Sequence, residues 1–187
     1  MTTEQAGNVG EESVRAILRE LNGSVISGFI RSNNLKLDGQ SFQVDFLVLM
    51  PSIGLVNIEV KNWKGTVKAT SSKKWQQEIN IADKYYVNEF NNASMQALRT
   101  SGLLMQTLER ERLNNWPIRS LVVFTNENAK VLRAKNKLAP QTDIILKHML
   151  PNWFKDNARK DMTFNFSLKE FNQIKSCLVE HTQPHAA

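Results

Sequence analysis

The sequence predicts an α/β fold in which helices flank a central mixed β-sheet of four to six strands. Three observations support this fold class. An amphipathic segment over residues 8–22 is typical of a surface helix, and a longer apolar segment over 92–113 is typical of a helix buried on more than one side. The runs over 41–61 and 120–125 have the patterns of a β-hairpin and a buried strand.

Length and composition indicate one globular domain over residues 1–187. The chain is 22% charged and 41% hydrophobic, which excludes a disordered protein. Its net charge of +6 favours an acidic partner such as nucleic acid. Neither a signal peptide nor a membrane helix is expected. The single Cys177 excludes an intramolecular disulfide and suits the cytoplasm.

The first predicted helix, over residues 8–22, carries one apolar stripe and ends at Asn22-Gly23. Glu11 lies about 70° from the centre of that stripe, so it can reach inward, whereas Glu12 is expected to face solvent. An acid in the first turn also interacts favourably with the helix dipole. This structural role is the alternative for Glu11.

Short β-rich runs predict further strands over residues 24–32 and 66–70. A polar stretch over 33–40 is interpreted as a connection that leads into the hairpin. Residues 73–75 begin a further connection or hairpin arm.

The hairpin places two acids and a lysine where they can meet. Side chains on a strand alternate between faces, so Glu59 and Lys61 point the same way. A three-residue turn over 51–53 places Asp45 opposite Glu59 and Gln43 opposite Lys61. Two carboxylates so close repel each other unless a cation lies between them, and carboxylate oxygens favour Mg²⁺ or Mn²⁺. The sequence therefore predicts a divalent-metal site suited to phosphodiester hydrolysis.

A structural alternative accompanies this hypothesis. An E-x-K triplet is common at ordinary usage of charged residues. Cross-strand pairs of acids and lysines also occur on solvated sheet faces. Glu59 and Lys61 are compatible with that role as well.

The second half of the chain supplies further candidates. Gln96, in the first turns of the helix over 92–113, has an amide that can reach the metal site or a phosphate, or can simply be exposed. Residues 143–146 predict an edge strand, and 147–155 predict a helix interrupted by Pro151. A capping box formed by residues 167 and 170 begins a last helix that ends near residue 180.

The motifs over roughly the first 110 residues resemble the nuclease-related domain (NERD) family, a branch of the PD-(D/E)xK nuclease superfamily. The most specific of them is the stretch IEVKNWKG. Two departures occur: Asn92-Ala93 stands where the family often has Asn-Pro, and Val44 replaces the superfamily's proline before the aspartate. The motifs, in the family's order, are Gly7-x-x-Gly10-Glu11, Gln43-x-Asp45, Ile58-Glu59-Val60-Lys61-Asn62-Trp63 with Gly65, and Gln96.

The resemblance implies a restriction-endonuclease-like core and a nuclease that depends on Mg²⁺ or Mn²⁺. It also implies a motif core over about residues 7–125, followed by a C-terminal strand and helix extension over 126–180. By this resemblance, Asp45 and Glu59 would hold the metal, and the Val60 backbone carbonyl would add a ligand. Glu11 would bind a second cation or position the water of the first.

The same resemblance assigns the remaining roles. Lys61 would orient the attacking water and neutralise developing charge, and Gln96 would hydrogen-bond a water or a phosphate oxygen. The expected substrate is nucleic acid, with DNA favoured over RNA, and cutting both strands would suit a homodimer. Nucleic-acid contacts are expected from exposed basic residues, although a solvated basic loop is the alternative for the last four of them: Lys64, Lys130, Arg133, Lys135 and Lys137.

Two other functions stay open. The chain can be a catalytically inactive nucleic-acid-binding module on a nuclease scaffold, because a fold does not determine an activity. In that case Trp63 and Trp75 would stack on unpaired bases, unless they pack beneath the sheet instead. The third possibility is an interaction domain that acts within a larger assembly.

Overall fold

The computed structural model describes residues 3–31, 34–113, 116–158 and 167–180. Four α-helices are present in this part of the chain: α1 (Thr3–Leu21), α2 (Ala93–Arg110), α3 (Leu150–Asn157) and α4 (Leu168–Glu180). The strands are β1 (Gly28–Arg31), β2 (Asn34–Leu37), β3 (Gln40–Gln43), β4 (Phe46–Met50), β5 (Gly54–Lys61), β6 (Gly65–Ala69), β7 (Lys74–Ile81), β8 (Lys84–Asn91), β9 (Ile118–Phe124), β10 (Ala129–Arg133) and β11 (Asp143–Leu146).

A five-stranded mixed sheet forms the centre of the molecule, in the order β1-β4-β5-β9-β11. The pairs β1–β4 and β4–β5 are antiparallel, whereas β5–β9 and β9–β11 are parallel. Helices pack on both faces. The predicted α/β class with a mixed sheet is therefore confirmed, and β11 is an edge strand as expected.

Strand β4 shows how the two faces of this sheet are separated. All five of its residues are buried. Phe46 and Val48 point to a cluster with α1 and α3, and Leu47 and Leu49 point to a cluster with α2 and α4. A strand that is apolar on both sides is what a sheet covered on both faces requires.

A second sheet, in the order β10-β6-β7-β8, lies beside the first. Its inner residues, including Val67 and Trp75, share a buried cluster with Ala97 of α2 and Phe124 of β9. The basic stretch over 130–137, for which a solvated loop was the alternative to a nucleic-acid contact, begins in strand β10 and continues into a 3₁₀ turn.

Two hairpins differ from the sequence-based expectations. The stretch over 33–40 is not a simple connection, because β2 and β3 pair around a two-residue turn, Asp38-Gly39. Strands β7 and β8 form a long hairpin around Ala82-Asp83, of which only the first arm was anticipated. Both turns have positive φ at both residues, as tight hairpin turns of this kind require. Residues 32 and 33 lie outside the described residues.

The helices follow the predicted order with shifted ends. Helix α1 begins at Thr3, five residues earlier than predicted. Pro151 occupies the first turn of α3 and does not interrupt it. The predicted capping box is confirmed, because Glu170 accepts a hydrogen bond from the Ser167 backbone N–H at 2.9 Å and donates its own backbone N–H to Ser167 Oγ at 3.2 Å. Residues 159–166 of the predicted extension lie outside the described ranges.

No helix in the described ranges has the length and apolar character needed to cross a membrane.

Gly65 begins β6 with φ +77°, and a Cβ there would lie 2.3 Å from the backbone oxygen of Glu78 on β7. Because that oxygen belongs to a paired strand, it cannot move aside cheaply. We expect Gly65→Ala to lower the free energy of unfolding by about 2–3 kcal/mol in urea denaturation. Gly39 is the matched control, since it has the same φ but a Cβ there would meet only open space, and Gly39→Ala should cost only about 1 kcal/mol. Equal losses would show that the close approach to β7 is unimportant.

Candidate active site

The register of the β4–β5 hairpin brings the central acids together. Met50 pairs with Gly54 and Phe46 with Ile58, around a turn over 51–53, as predicted. The next position along the chain therefore places Asp45 beside Glu59. Asp45 is buried, and its Oδ2 accepts a hydrogen bond of 2.8 Å from the Val60 backbone N–H.

The prediction that Gln43 lies opposite Lys61 is wrong. The chain bends at Asp45, and β3 leaves the central sheet to pair with β2, where Gln43 faces Asn34. The same bend turns Val44 toward the opposite sheet face from Phe46. Gln43 nevertheless stays at the site, because its Nε2 lies 3.3 Å from Asp45 Oδ1.

One cavity of about 410 Å³ contains all five residues proposed as catalytic: Glu11, Asp45, Glu59, Lys61 and Gln96. The sequence patterns assigned no role to several others that line it: Ser41, Phe42, Arg99, Thr100 and Leu103. Arg99, Thr100 and Leu103 of α2 follow Gln96 by three, four and seven positions, which is the spacing of one helix face. This spacing could have indicated these three residues from the sequence.

Lys61 is held in place from two sides. Its Nζ lies 2.7 Å from Glu59 Oε1, so these side chains share one strand face as expected. The same ammonium lies 5.6 Å from the centre of the Trp63 ring, which stacks on Phe90 with centroids 4.5 Å apart. Trp75 is fully buried. Both tryptophans therefore pack within the protein, and the structural interpretation of them is confirmed.

Glu11 reaches the cavity from α1. Its side chain is 14% exposed, against 52% for Glu12, so the predicted inward and outward directions are confirmed. Gly10 permits the close approach of the helix, because a Cβ there would lie 2.7 Å from Thr125 Oγ1. Arg31 donates two hydrogen bonds of 3.3 Å to Glu11 and also pairs with Glu12. Glu11 is thus partly neutralised before any ligand binds.

Gln96 presents a buried polar atom to the site. Its Oε1 has no hydrogen-bond partner in the described part of the chain. Asn92 caps the helix by accepting the Met95 N–H at 3.1 Å, so α2 starts directly after it despite the alanine that follows. An orphaned buried acceptor costs about 1–3 kcal/mol, which a bound donor or cation would recover.

Burial and negative charge dominate the electrostatics. Burial, followed by the nearby Glu59 carboxylate, raises the pKa of Asp45 to about 7. The Val60 N–H acts in the opposite direction, Glu11 raises the pKa further, and Lys61 lowers it. Burial together with the neighbouring acids therefore favours the neutral form of the Asp45 carboxyl until a cation binds.

A family model for the nuclease-related domain matches residues 6–125. This range covers more than half of the chain and includes every residue that lines the cavity. The chain belongs to the nuclease-related domain (NERD) family. A search of curated proteins and a search of solved structures found no match. Strands β10 and β11 and helices α3 and α4 of this NERD protein lie beyond the matched range.

The donor atoms of the NERD cavity fit a hard divalent cation with few protein ligands. In the ranges that the structure describes, no three His, Cys, Asp or Glu side chains come close enough to hold one ion together. Mg²⁺, however, commonly binds one or two carboxylates and keeps several waters. The adjoining carboxylates of Asp45 and Glu59, with the orphaned Gln96 oxygen nearby, meet that requirement.

The basic residues expected to touch nucleic acid lie elsewhere, since none of them lines the cavity. Lys64 directly precedes β6, and Lys130 lies on β10 opposite Thr66. The guanidinium of Arg133 donates to the carbonyls of Pro140 and Thr142 at 3.3 and 3.1 Å. Lys135 precedes the 3₁₀ turn, Lys137 lies within it, and both are exposed.

The raised pKa of Asp45 makes stability depend on pH. The folded protein keeps this proton up to about pH 7, whereas the unfolded chain releases it near pH 4, so the free energy of unfolding falls as pH rises across this window. In EDTA, we expect the free energy of unfolding of the wild type to fall by about 2 kcal/mol relative to that of Asp45→Asn between pH 5 and pH 8. Urea denaturation of both proteins measures this. A difference that does not change with pH would contradict the assignment.

Proposed function

We propose that this NERD protein is a nuclease that uses a divalent metal ion to hydrolyse phosphodiester bonds, preferentially in DNA. The observation that carries the proposal is the convergence of Asp45, Glu59 and Lys61 in one cavity. Two separate helices direct Glu11 and Gln96 into the same space. A purely structural set of surface charges gives no reason for a buried aspartate beside a second acid.

The carboxylates of Asp45 and Glu59 would hold Mg²⁺ or Mn²⁺, with the Val60 carbonyl as a further ligand. A bound divalent cation lowers the pKa of a coordinated water and stabilises charge on the phosphoryl oxygens. Arg31 already pairs with Glu11, so Glu11 would act on a water or a second cation only in competition with that arginine.

The other groups of the cavity act on the attacking water, on the phosphate or on the metal ligands. The Lys61 ammonium, held by Glu59 and Trp63, orients the attacking water and offsets negative charge as the transition state forms. The Gln96 amide hydrogen-bonds a water or a phosphate oxygen. The Val60 N–H fixes the direction of the Asp45 carboxylate.

The remaining expectations belong to the same proposal. The chain would act as a single domain over residues 1–187, whose segment after residue 125 completes both sheets through β10 and β11. We place it in the cytoplasm because its single cysteine suits a reducing compartment. Cleavage of both strands of a duplex would use two protomers.

A cleavage assay separates this function from its alternative. Supercoiled plasmid, linear duplex, single-stranded DNA and RNA are each incubated with the protein in Mg²⁺, Mn²⁺ or EDTA. We expect cleavage only with a metal ion, and faster cleavage of DNA than of RNA. Binding in EDTA without a cut under any metal would instead support an inactive nucleic-acid-binding module.

A further inference from the structure

Arg99 occupies a position at the cavity that the proposed chemistry leaves unused. It lies on α2 three residues after Gln96, so the two side chains emerge from the same helix face, about one turn or roughly 5 Å apart along the axis. Arg99 lines the cavity together with Asp45 and Lys61, but it is exposed, whereas Asp45 is buried. Its guanidinium therefore lies at the mouth of the site.

The other cations near the acids are already paired. Lys61 binds Glu59 at 2.7 Å, and Arg31 binds Glu11 at 3.3 Å. Arg99 has no acidic partner in the described ranges, and its Nη2 donates a long hydrogen bond of 3.4 Å to the neutral Gln40 Oε1. A neutral contact of that length is weak, so the guanidinium is available to a ligand at little cost.

A second arginine of the same helix shows the contrast. Arg110 forms a two-pronged pair with Asp38, at 2.8 and 2.6 Å. That arrangement satisfies the planar fork of the guanidinium within the protein. Arg99 presents the same fork to the cavity without a carboxylate to fill it.

The charge of the cavity indicates what would fill it. Glu11 is paired with Arg31 and Glu59 with Lys61, so Arg99 is the cation of the cavity left for an anionic ligand. A divalent ion held by Asp45 and Glu59 would add positive charge that phosphodiester groups would balance. Guanidinium binds phosphate oxygens in the same two-pronged manner as it binds carboxylates.

We propose that Arg99 binds the phosphate next to the scissile one, so that the site selects a polynucleotide strand over a small phosphodiester. The inference rests on the proposed nuclease function. Because Arg99 is exposed and lies one helical turn from Gln96, its guanidinium would reach a phosphate beside the reacting one. Arg99 is a binding residue here and takes no part in bond breaking.

Binding measured at several salt concentrations tests this directly. Fluorescence anisotropy gives the Kd of a fluorescein-labelled single-stranded DNA oligonucleotide in EDTA, where nothing is cut. We expect Arg99→Ala to weaken binding about tenfold and to reduce the slope of log K against log salt by about 0.7. Arg110→Ala, which removes the same charge from the same helix, should leave the slope unchanged. Identical slopes for the two variants would overturn the proposal.

Kinetics with two substrates distinguish binding from catalysis. With Mg²⁺ or Mn²⁺, Arg99→Ala should raise KM for the oligonucleotide about tenfold, keep kcat within about twofold, and leave the hydrolysis of bis(4-nitrophenyl) phosphate unchanged, since that ester has no neighbouring phosphate. An equal loss on both substrates would refute a flanking-phosphate role.

The failures of the two proposals look different. If the wild-type protein cuts DNA but Arg99→Ala binds with the wild-type slope, the Arg99 inference fails and the nuclease stands. If Arg99 governs the salt slope but no metal supports cleavage, the nuclease proposal fails and the phosphate contact stands. A wild-type protein that neither binds nor cuts would overturn both.

Discussion

Asp45→Asn is expected to lower kcat for metal-dependent cleavage by about 10³-fold or more. A catalytic metal ion supplies several kcal/mol of transition-state stabilisation, and each 1.4 kcal/mol corresponds to about a factor of ten in rate. Asparagine keeps the shape of the side chain and can still accept the Val60 N–H, which Asp45 accepts at 2.8 Å. The loss would therefore reflect the missing negative charge and not a disturbed hairpin.

Asp38→Asn is the matched control for this experiment. Asp38→Asn also removes one negative charge, in this case from a carboxylate paired with Arg110, but Asp38 lies on an exposed turn outside the cavity. We expect its kcat to stay within about threefold of wild type. Both variants should retain the wild-type circular dichroism spectrum. Wild-type cleavage by Asp45→Asn would remove Asp45 from the proposed site.

Lys61→Gln is expected to lower kcat by about 10²–10³-fold with a much smaller change in KM. The ammonium acts on charge that develops in the transition state, and removing one such group typically has an effect of this size. Substitution also leaves Glu59 without its 2.7 Å partner beside Asp45, so the affinity for Mg²⁺ should rise or stay unchanged while turnover falls. Steady-state kinetics over a Mg²⁺ series measure both quantities.

A second lysine provides the comparison. Lys68 pairs with Glu78 on the second sheet, away from the cavity, so Lys68→Gln removes a similar ion pair without touching the site. Its kcat should match that of wild type. Equal kcat values for the Lys61 and Lys68 variants would show that the Lys61–Glu59 pair is only structural.

The central hairpin was predictable because local rules determine it. A three-residue turn together with the alternation of side chains sets the register that brings Asp45 beside Glu59. The bend at Asp45 was not predictable in the same way. It depends on β3 finding β2 as a partner in a separate small sheet, so Gln43 left its expected place.

The two tight hairpins show different reasons for error. Asp38-Gly39 is a usual signal for a two-residue turn, yet the polar residues around it favoured a simple connection. Ala82-Asp83 carries no such signal, because neither residue is glycine or asparagine, although both adopt positive φ. The long pairing of β7 with β8 stabilises a turn that its own sequence does not favour.

The residues of the cavity also differ in how far the sequence alone identifies them. Glu11, Asp45, Glu59, Lys61 and Gln96 were found through strand alternation, helical position and family motifs. Arg99 shares a helix face with Gln96, but its importance depends on which acids the neighbouring cations use. The pairing of Arg31 with Glu11 is a tertiary contact between α1 and β1, separated by 20 positions in the sequence. Periodicity in one segment carries no information about such a contact.

The position of a bound metal ion is a direct test of the Asp45–Glu59 site. Crystals soaked in manganese chloride and measured near the manganese absorption edge would locate the ion by its anomalous signal. We expect one peak in contact with the carboxylates of Asp45 and Glu59, and its loss in crystals of Asp45→Asn. A cleaving protein whose manganese binds outside this cavity would contradict the proposed metal site.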